Sequence, residues 1–203
     1  MYIILVRNSE SDSNNKSCHN DYDAGISKNG HKCARDIAKK LSNDFDCTDF
    51  KIISSPLKRA VETADTFKSI IKIDSKISRE YRIIDGITKL HYFSGDLMKN
   101  MDKIGIVCPE SIENIMDRIS AMVEELIAKE DNSIIFTHGI IFNCFMQYFF
   151  PKYEYDKEWN GDGKNEDEYF PPHCTYAIIS IDKKNNKLRY QLINSSVNFD
   201  VDK

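Results

Sequence analysis

Short apolar runs, "YIILV" at Tyr2 to Val6 and "SIIFT" at Ser133 to Thr137, constrain this chain more than any other feature. A strand with one wet face alternates apolar and polar residues. A strand that is apolar throughout must be covered on both faces, as in a parallel sheet. Parallel neighbours need long crossovers, so such runs should be separated by helices. The stretches between them meet that demand. Ser27 is placed as an N-cap, with Ala34, Ile37, Ala38 and Leu41 following at helical spacing, which predicts an amphipathic helix from Ser27 to about Asn43. Phe50 to Ile53 is a further short strand. Pro56 suits the first turn of the next helix, whose inner face carries Ala60, Ala64, Phe67 and Ile71.

Ile71 to Ile77 is predicted as a third, weaker strand, and Arg79 to Gly105 has no clean period. From Glu110 the apolar positions Ile112, Ile115, Ile119, Met122, Val123 and Leu126 predict a long helix through about Ala128. A helix over Gly139 to Phe149 follows the "SIIFT" strand. Thr175 to Ile181 and Leu188 to Leu192 form a terminal strand pair across Lys183 to Asn186. The expected fold class is α/β: a three-layer α/β/α sandwich around a mostly parallel sheet, with residues 1–203 forming one domain. Residues 151–172, about twenty without periodicity, are expected to be a lid or insertion loop.

Composition narrows the function. With 28 Lys and Arg against 32 Asp and Glu, the formal net charge is −4, so the chain lacks the field of a nucleic-acid binder and must hold any anion locally. Six scattered cysteines without a C-x-x-C pair, and the lack of a secretory leader, point to reduced thiols and a cytoplasmic location. No histidine has a ligand-spaced partner, so neither metal nor cofactor is expected. No apolar stretch reaches the roughly 18 to 20 residues of a membrane span.

In open α/β sheets ligands bind beyond the carboxyl ends of the strands. Arg7-Asn8 follows the first run, Ser54-Ser55-Pro56-Leu57-Lys58-Arg59 the second, and His138-Gly139 the "SIIFT" run. Any one of these could be a surface or salt-bridging residue. Two arginines and a histidine together at strand ends suit recognition of phosphate, whose oxygens the planar guanidinium fork can grip at two points.

The residues at these ends carry a resemblance. "LVRNSES" resembles the N-terminal R-H-G/S-E motif of the histidine phosphatase superfamily, the phosphoglycerate mutase-like group, branch 1. "DAGISKNGHKCARDIAKKL", "SSPLKRAVETADTF" and "PESIENIMDRI" are similar to the family's later segments. "FTHGIIFNCF" is similar to its second histidine motif, and "HCTYAIISID" to the late strand, all in the family's order. The resemblance implies a phosphohydrolase that works through a phosphohistidine, on a phosphomonoester or a nucleoside or other small-molecule phosphate. It implies that Arg7 and Arg59 clamp the phosphoryl group and that His138 donates to it as charge develops. Glu80 resembles the carboxylate that protonates the leaving group, with Asp85 and His91 as alternatives. Asn14 or Asn15 would add an amide to the pocket, unless that stretch is a solvated loop. His173 is an outside candidate for a pocket role.

Position 8 departs from the family. Asn8 stands where the nucleophilic histidine is expected, and an amide nitrogen, its lone pair delocalised into the carbonyl, cannot attack phosphorus. Loss of a nucleophile from a concerted site costs on the order of 10⁶ in kcat, so this chain is expected to bind phosphate and be nearly inactive. Asn8 is either an isolated change, engineered or otherwise, in an active enzyme, or the mark of a natural pseudophosphatase. The presence of Arg7, Arg59, Glu80 and His138 favours the former. "SREYRIIDG" lacks the E-R-H-Y-G stretch of the mutases, which favours a phosphatase over a phosphotransferase. From Glu154 to Glu168 the expected lid has seven acidic residues against two lysines, which argues against highly anionic substrates such as long polyphosphates unless a divalent cation accompanies them. Its Tyr153, Tyr155, Trp159, Tyr169 and Phe170 could stack on a base or sugar, or simply pin the loop.

Overall fold

The computed structural model describes residues 1–12, 23–73, 77–78, 111–149, 154–156, 172–185 and 187–193. In chain order these form β1 (Tyr2–Arg7), α1 (Lys28–Asp44), β2 (Lys51–Ser54), α2 (Lys58–Ile71), β3 (Ile77–Ser78) and α3 (Ile112–Lys129), then β4 (Ser133–Thr137), α4 (Gly139–Phe149), β5 (Glu154–Asp156), β6 (Tyr176–Asp182) and β7 (Lys187–Ile193). The strands make one sheet in the order β3-β2-β4-β1-β6-β7-β5. The pairs β1 with β4, β2 with β3, β2 with β4 and β5 with β7 are parallel, and β6 alone runs against its neighbours. The mostly parallel sheet expected from the apolar runs is therefore present.

Alternation along β1 builds two cores at once. Ile3 and Leu5 point to one face, where Ile119, Val123 and Leu126 of α3 and Phe142 and Phe145 of α4 cover them. Ile4 and Val6 point to the other, against Ala34, Ile37 and Leu41 of α1 and Ala64 and Phe67 of α2. All four β1 side chains are fully buried. At roughly 1.5–3 kcal/mol per large apolar side chain buried, this double coverage is what requires the continuous "IILV" run.

Helix ends follow local chemistry. Ser27 caps α1 by accepting from the Gly30 N–H, and Ser111 caps α3 by accepting from the Asn114 N–H. Leu57, which precedes α2, has no capping side chain. Its place is taken from a distance by Asp23, whose carboxylate accepts from the Lys58 N–H at 2.7 Å. Helix α2 thus begins at Lys58, two residues after Pro56 and not on it.

One further expectation needs correction. The strand predicted over Ile71 to Ile77 does not begin at Ile71. Helix α2 continues through Ile71, Lys72 closes it in the left-handed conformation at φ 56°, and among the described residues of this stretch and just beyond it Ile77 and Ser78 pair with β2. The apolar signal came from Ile71 and Ile73, which are buried in the core without pairing in the sheet. Within the segment 151–172, residues 154–156 form β5 alongside β7.

Candidate active site

The carboxyl ends of β1, β2 and β4 lie side by side, because β4 sits between the other two in parallel register. Arg7 ends β1, opposite Thr137 at the end of β4. The Asn8 N–H extends the ladder by one bond, to the Thr137 carbonyl at 2.7 Å, and the Ser55 N–H does the same from β2, to the Phe136 carbonyl at 2.9 Å. The start of β6 reaches the same edge because that strand runs the other way, and the Arg7 N–H donates to the Thr175 carbonyl at 2.9 Å. Asn8, Ser55, His138 and His173 are thereby gathered at one edge.

Asn8 is buried and fixed on both sides. Its Nδ2 donates to the Ser9 carbonyl at 2.7 Å, and its Oδ1 lies 3.2 Å from His138 Nδ1. A carbonyl can only accept, so the amide orientation follows, and His138 must be the donor to Oδ1. The remaining ring nitrogen of His138, Nε2, lies 2.7 Å from Ser55 Oγ and receives its hydroxyl proton when the ring is neutral. The ring does stay neutral. Burial first, then the positive charges of Arg59 and Arg7, hold His138 well below the ordinary imidazole value.

The same two arginines act on His173. Its Nδ1 lies 3.2 Å from the Asn8 carbonyl, which makes Nδ1 the protonated nitrogen. Burial and Arg7 push it down to about 4, opposed by the bond to Asn8, with a smaller push from Arg59. Arg7 and Arg59 thus project their charge onto a common region at the strand ends, lined by two neutral imidazoles. That arrangement suits a divalent oxyanion.

Bracing residues hold this edge in place. The Ser9 N–H donates to Thr63 Oγ1 at 3.0 Å, and Thr63 in turn donates to the Arg59 carbonyl at 2.6 Å, so the turn of α2 that carries Arg59 is tied to the residue after Asn8. Ser9 Oγ donates to the Gly30 carbonyl at 2.7 Å and accepts from Cys174 Sγ. A Cβ on Gly30 would lie 2.3 Å from the Glu10 carbonyl oxygen, so only glycine allows α1 this close. Ser27 adds a second bond to the same loop, donating to Glu10 at 2.6 Å, beyond the capping role read from sequence.

Of the residues singled out in the sequence, the structure brings together Arg7, Asn8, Arg59, His138 and His173. Asn14, Asn15, Glu80, Asp85 and His91 lie outside the described residues, as does most of the segment 151–172. Ser9, Gly30, Ser55 and Thr63 were not singled out as site residues. Thr63 left one trace in the sequence, since it stands four residues after Arg59 on the same helical face. No described helix is long and apolar enough to cross a membrane.

The fold is shared with known proteins. The fold is similar to that of a phosphoglycerate mutase from Bacillus anthracis str. Sterne, at a TM-score of 0.65 and 14% identity over 97% of this chain and 94% of that one. It is similar to mycobacterial glucosyl-3-phosphoglycerate phosphatase in complex with VO3, with a TM-score of 0.63 and 14% identity over 96% and 99% of the two chains. The ecdysone phosphate phosphatase of Bombix mori, in complex with tungstate, superposes at 0.62 with 14% identity over 100% and 96%. The sequence model of the histidine phosphatase superfamily (branch 1) matches residues 3–166. The chain belongs to the histidine phosphatase superfamily, branch 1.

Proposed function

We propose that this pocket binds the phosphoryl group of a phosphomonoester, a nucleoside phosphate or another small phosphorylated molecule, and that it is built for phosphohydrolase chemistry. The observation that carries the reading is the convergence of the Arg7 and Arg59 charges on His138 and His173, beside Asn8. Arg7 and Arg59 grip the equatorial oxygens. On arrival of phosphate, His138 turns a hydrogen bond from its local partners to the oxyanion. Glu80 supplies the proton to the leaving group, and Asn14 adds an amide from the loop after β1. The segment 151–172 covers the substrate.

With histidine at position 8 the reaction runs through a phosphohistidine. The backbone is ready for it. Asn Nδ2 and His Nδ1 stand at the same place along their side chains, and the Asn8 amide already makes the bond to the Ser9 carbonyl. A histidine here would spend Nδ1–H on that carbonyl and keep its lone pair on Nε2. Asn8 mimics one edge of an imidazole and lacks the nitrogen that attacks, so turnover through position 8 is closed in the present chain.

The test is Asn8→His, with phosphate release measured on a panel from an aryl phosphate to nucleotides and sugar phosphates. Release should rise by orders of magnitude, up to about 10⁶ for the best substrate. If Asn8→His folds and stays as inert as the present chain across the panel, the enzyme reading fails. A natural pseudophosphatase, a phosphate-binding module without turnover, is the second reading. It is favoured by the completeness of the hydrogen bonds around Asn8. A phosphotransferase of the mutase type would show phosphate passing to a second hydroxyl in place of water.

A further inference from the structure

Four hydrogen bonds run in series through the carboxyl edge, and all of them point the same way. The Leu57 N–H donates to Ser55 Oγ at 3.3 Å, and the Ser55 hydroxyl donates to His138 Nε2 at 2.7 Å. His138 Nδ1 then donates to Asn8 Oδ1 at 3.2 Å, and Asn8 Nδ2 to the Ser9 carbonyl at 2.7 Å. Ser55, His138 and Asn8 are each 3% exposed or less, so solvent does not rescue a mismatched pair among them. The ring is also fixed in place. The His138 carbonyl accepts from the Phe142 N–H at 2.8 Å at the start of α4, and the ring reaches Asn8 beyond β1 on one side and Ser55 beyond β2 on the other.

Both ends of the series are main-chain groups with a single role, since an N–H only donates and a carbonyl only accepts. The Ser9 end sets the direction. Its carbonyl requires Asn8 to face it with Nδ2, which turns Oδ1, an acceptor, toward His138. The ring must answer with a proton on Nδ1, and Nε2 is left to accept from Ser55. A ring protonated on both nitrogens is opposed by burial and by the positive charges of Arg59 and Arg7.

A histidine at position 8 would alter one link. Its Nδ1–H would keep the bond to the Ser9 carbonyl, and a ring C–H, which cannot accept, would stand where Asn8 has Oδ1. Nothing would then hold the His138 proton on Nδ1. The arrangement that satisfies the remaining groups is Nε2–H donating to Ser55 Oγ, whose second lone pair still takes the Leu57 N–H.

We propose that Asn8 is a positioning residue for His138: it fixes the ring in the Nδ1–H tautomer, and histidine at position 8 would reverse the bond between His138 and Ser55. The bearing of this on function rests on the phosphate-pocket reading above. With Asn8, the one proton of the ring is committed to the Asn8 amide and Nε2 presents a lone pair. With histidine, the ring carries its proton on Nε2, where it can be turned to a phosphoryl oxygen. The residue at position 8 thus governs a donor as well as the nucleophile.

The test reads the ring nitrogens of His138 by nitrogen NMR at pH 7 in the full chain, isotope-labelled at histidine, with the signals assigned by their loss in His138→Gln. Protonated and lone-pair nitrogens resonate far apart, so the tautomer is seen directly. The expected result is Nδ1–H in the unaltered chain and Nε2–H in Asn8→His. Asn8→Asp, which keeps an acceptor in the same place, and Ser55→Ala, which removes the partner of Nε2, should both leave Nδ1 protonated. A purely structural role for Asn8 would not produce this pattern. Nε2–H in the unaltered chain, an unchanged tautomer in a folded Asn8→His, or a switch to Nε2–H in Asn8→Asp or Ser55→Ala overturns the proposal. Should Asn8→His fail to fold, the unaltered chain and Ser55→Ala still decide it. A calorimetric titration of the unaltered chain with inorganic phosphate separates the two readings, because absence of binding overturns the pocket while the tautomer is read without phosphate.

Discussion

The two ends of the same three strands are built on opposite terms. At the amino ends of β1, β2 and β4 polar groups meet water. Lys51 pairs with Asp131 at 2.6 Å with the lysine 59% exposed, and Lys183 pairs with Glu130 across an exposed turn. At the carboxyl ends Asn8, Ser55, Thr137 and His138 are all buried to 3% exposure or less. An exposed pair contributes little, since water competes for each partner. A buried polar group left without a partner costs about 1–3 kcal/mol, which is why the carboxyl edge is a closed chain of donors and acceptors from Ser9 through Asn8 and His138 to Ser55. A fold seeking only stability would fill that edge with apolar side chains. Keeping four buried polar residues and two nearby arginines there is intelligible as provision for a charged ligand.

Acid should break the contrast most strongly. His138 and His173 are both neutral in the folded protein with depressed values, so the unfolded chain binds more protons once pH falls below about 6.5. Stability is then full above that pH and falls as pH drops toward the folded value, about 4 for His173. Urea titrations between pH 7 and pH 4 should show a loss of up to about 3 kcal/mol from His173 alone, and His173→Asn should flatten the slope. An unchanged slope in that variant would show that the carboxyl edge does not hold His173 neutral.

Next in size is Gly30→Ala. The added methyl meets the Glu10 carbonyl, a backbone atom that cannot swing aside, so α1 must move off the loop that follows Asn8. Overpacking of this kind costs about 1–3 kcal/mol, read by thermal unfolding, and phosphate affinity should weaken together with stability.

The smallest and cleanest comparison lies on one strand. Ser55→Ala, just past the carboxyl end of β2, removes the partner of His138 Nε2 and of the Leu57 N–H and should cost about 1–3 kcal/mol. Lys51→Ala, at its amino end, removes only the exposed pair with Asp131 and should cost no more than about 1 kcal/mol. Equal effects would erase the distinction between the two edges.

Much of the frame was legible in the residues. The uninterrupted apolar character of β1 and β4 announced a doubly covered parallel sheet, and the rule that ligands sit at carboxyl ends led directly to Arg7, Arg59 and His138. Boundaries were misread where burial imitated pairing, as at Ile71 and Ile73, and where a distant residue did a local job, as when Asp23 capped α2 in place of Pro56 opening it. The bracing of the site was not legible. Ser9, Gly30 and Thr63 act through contacts between segments 21 to 54 residues apart, which no local pattern encodes. The left-handed Cys174 is similar: cysteine gives no sign of positive φ, and the contacts that impose it come from Ser9, Asn8 and Cys33.

The central claim is that the carboxyl edge is an intact phosphate pocket whose position 8 cannot attack. The most direct measurement is a calorimetric titration of the full chain and of Arg59→Ala with inorganic phosphate at pH 7. The account predicts saturable binding at a single site in the chain and its loss in Arg59→Ala, with both proteins folded. No binding in the unaltered chain, or equal binding in the two, would contradict it.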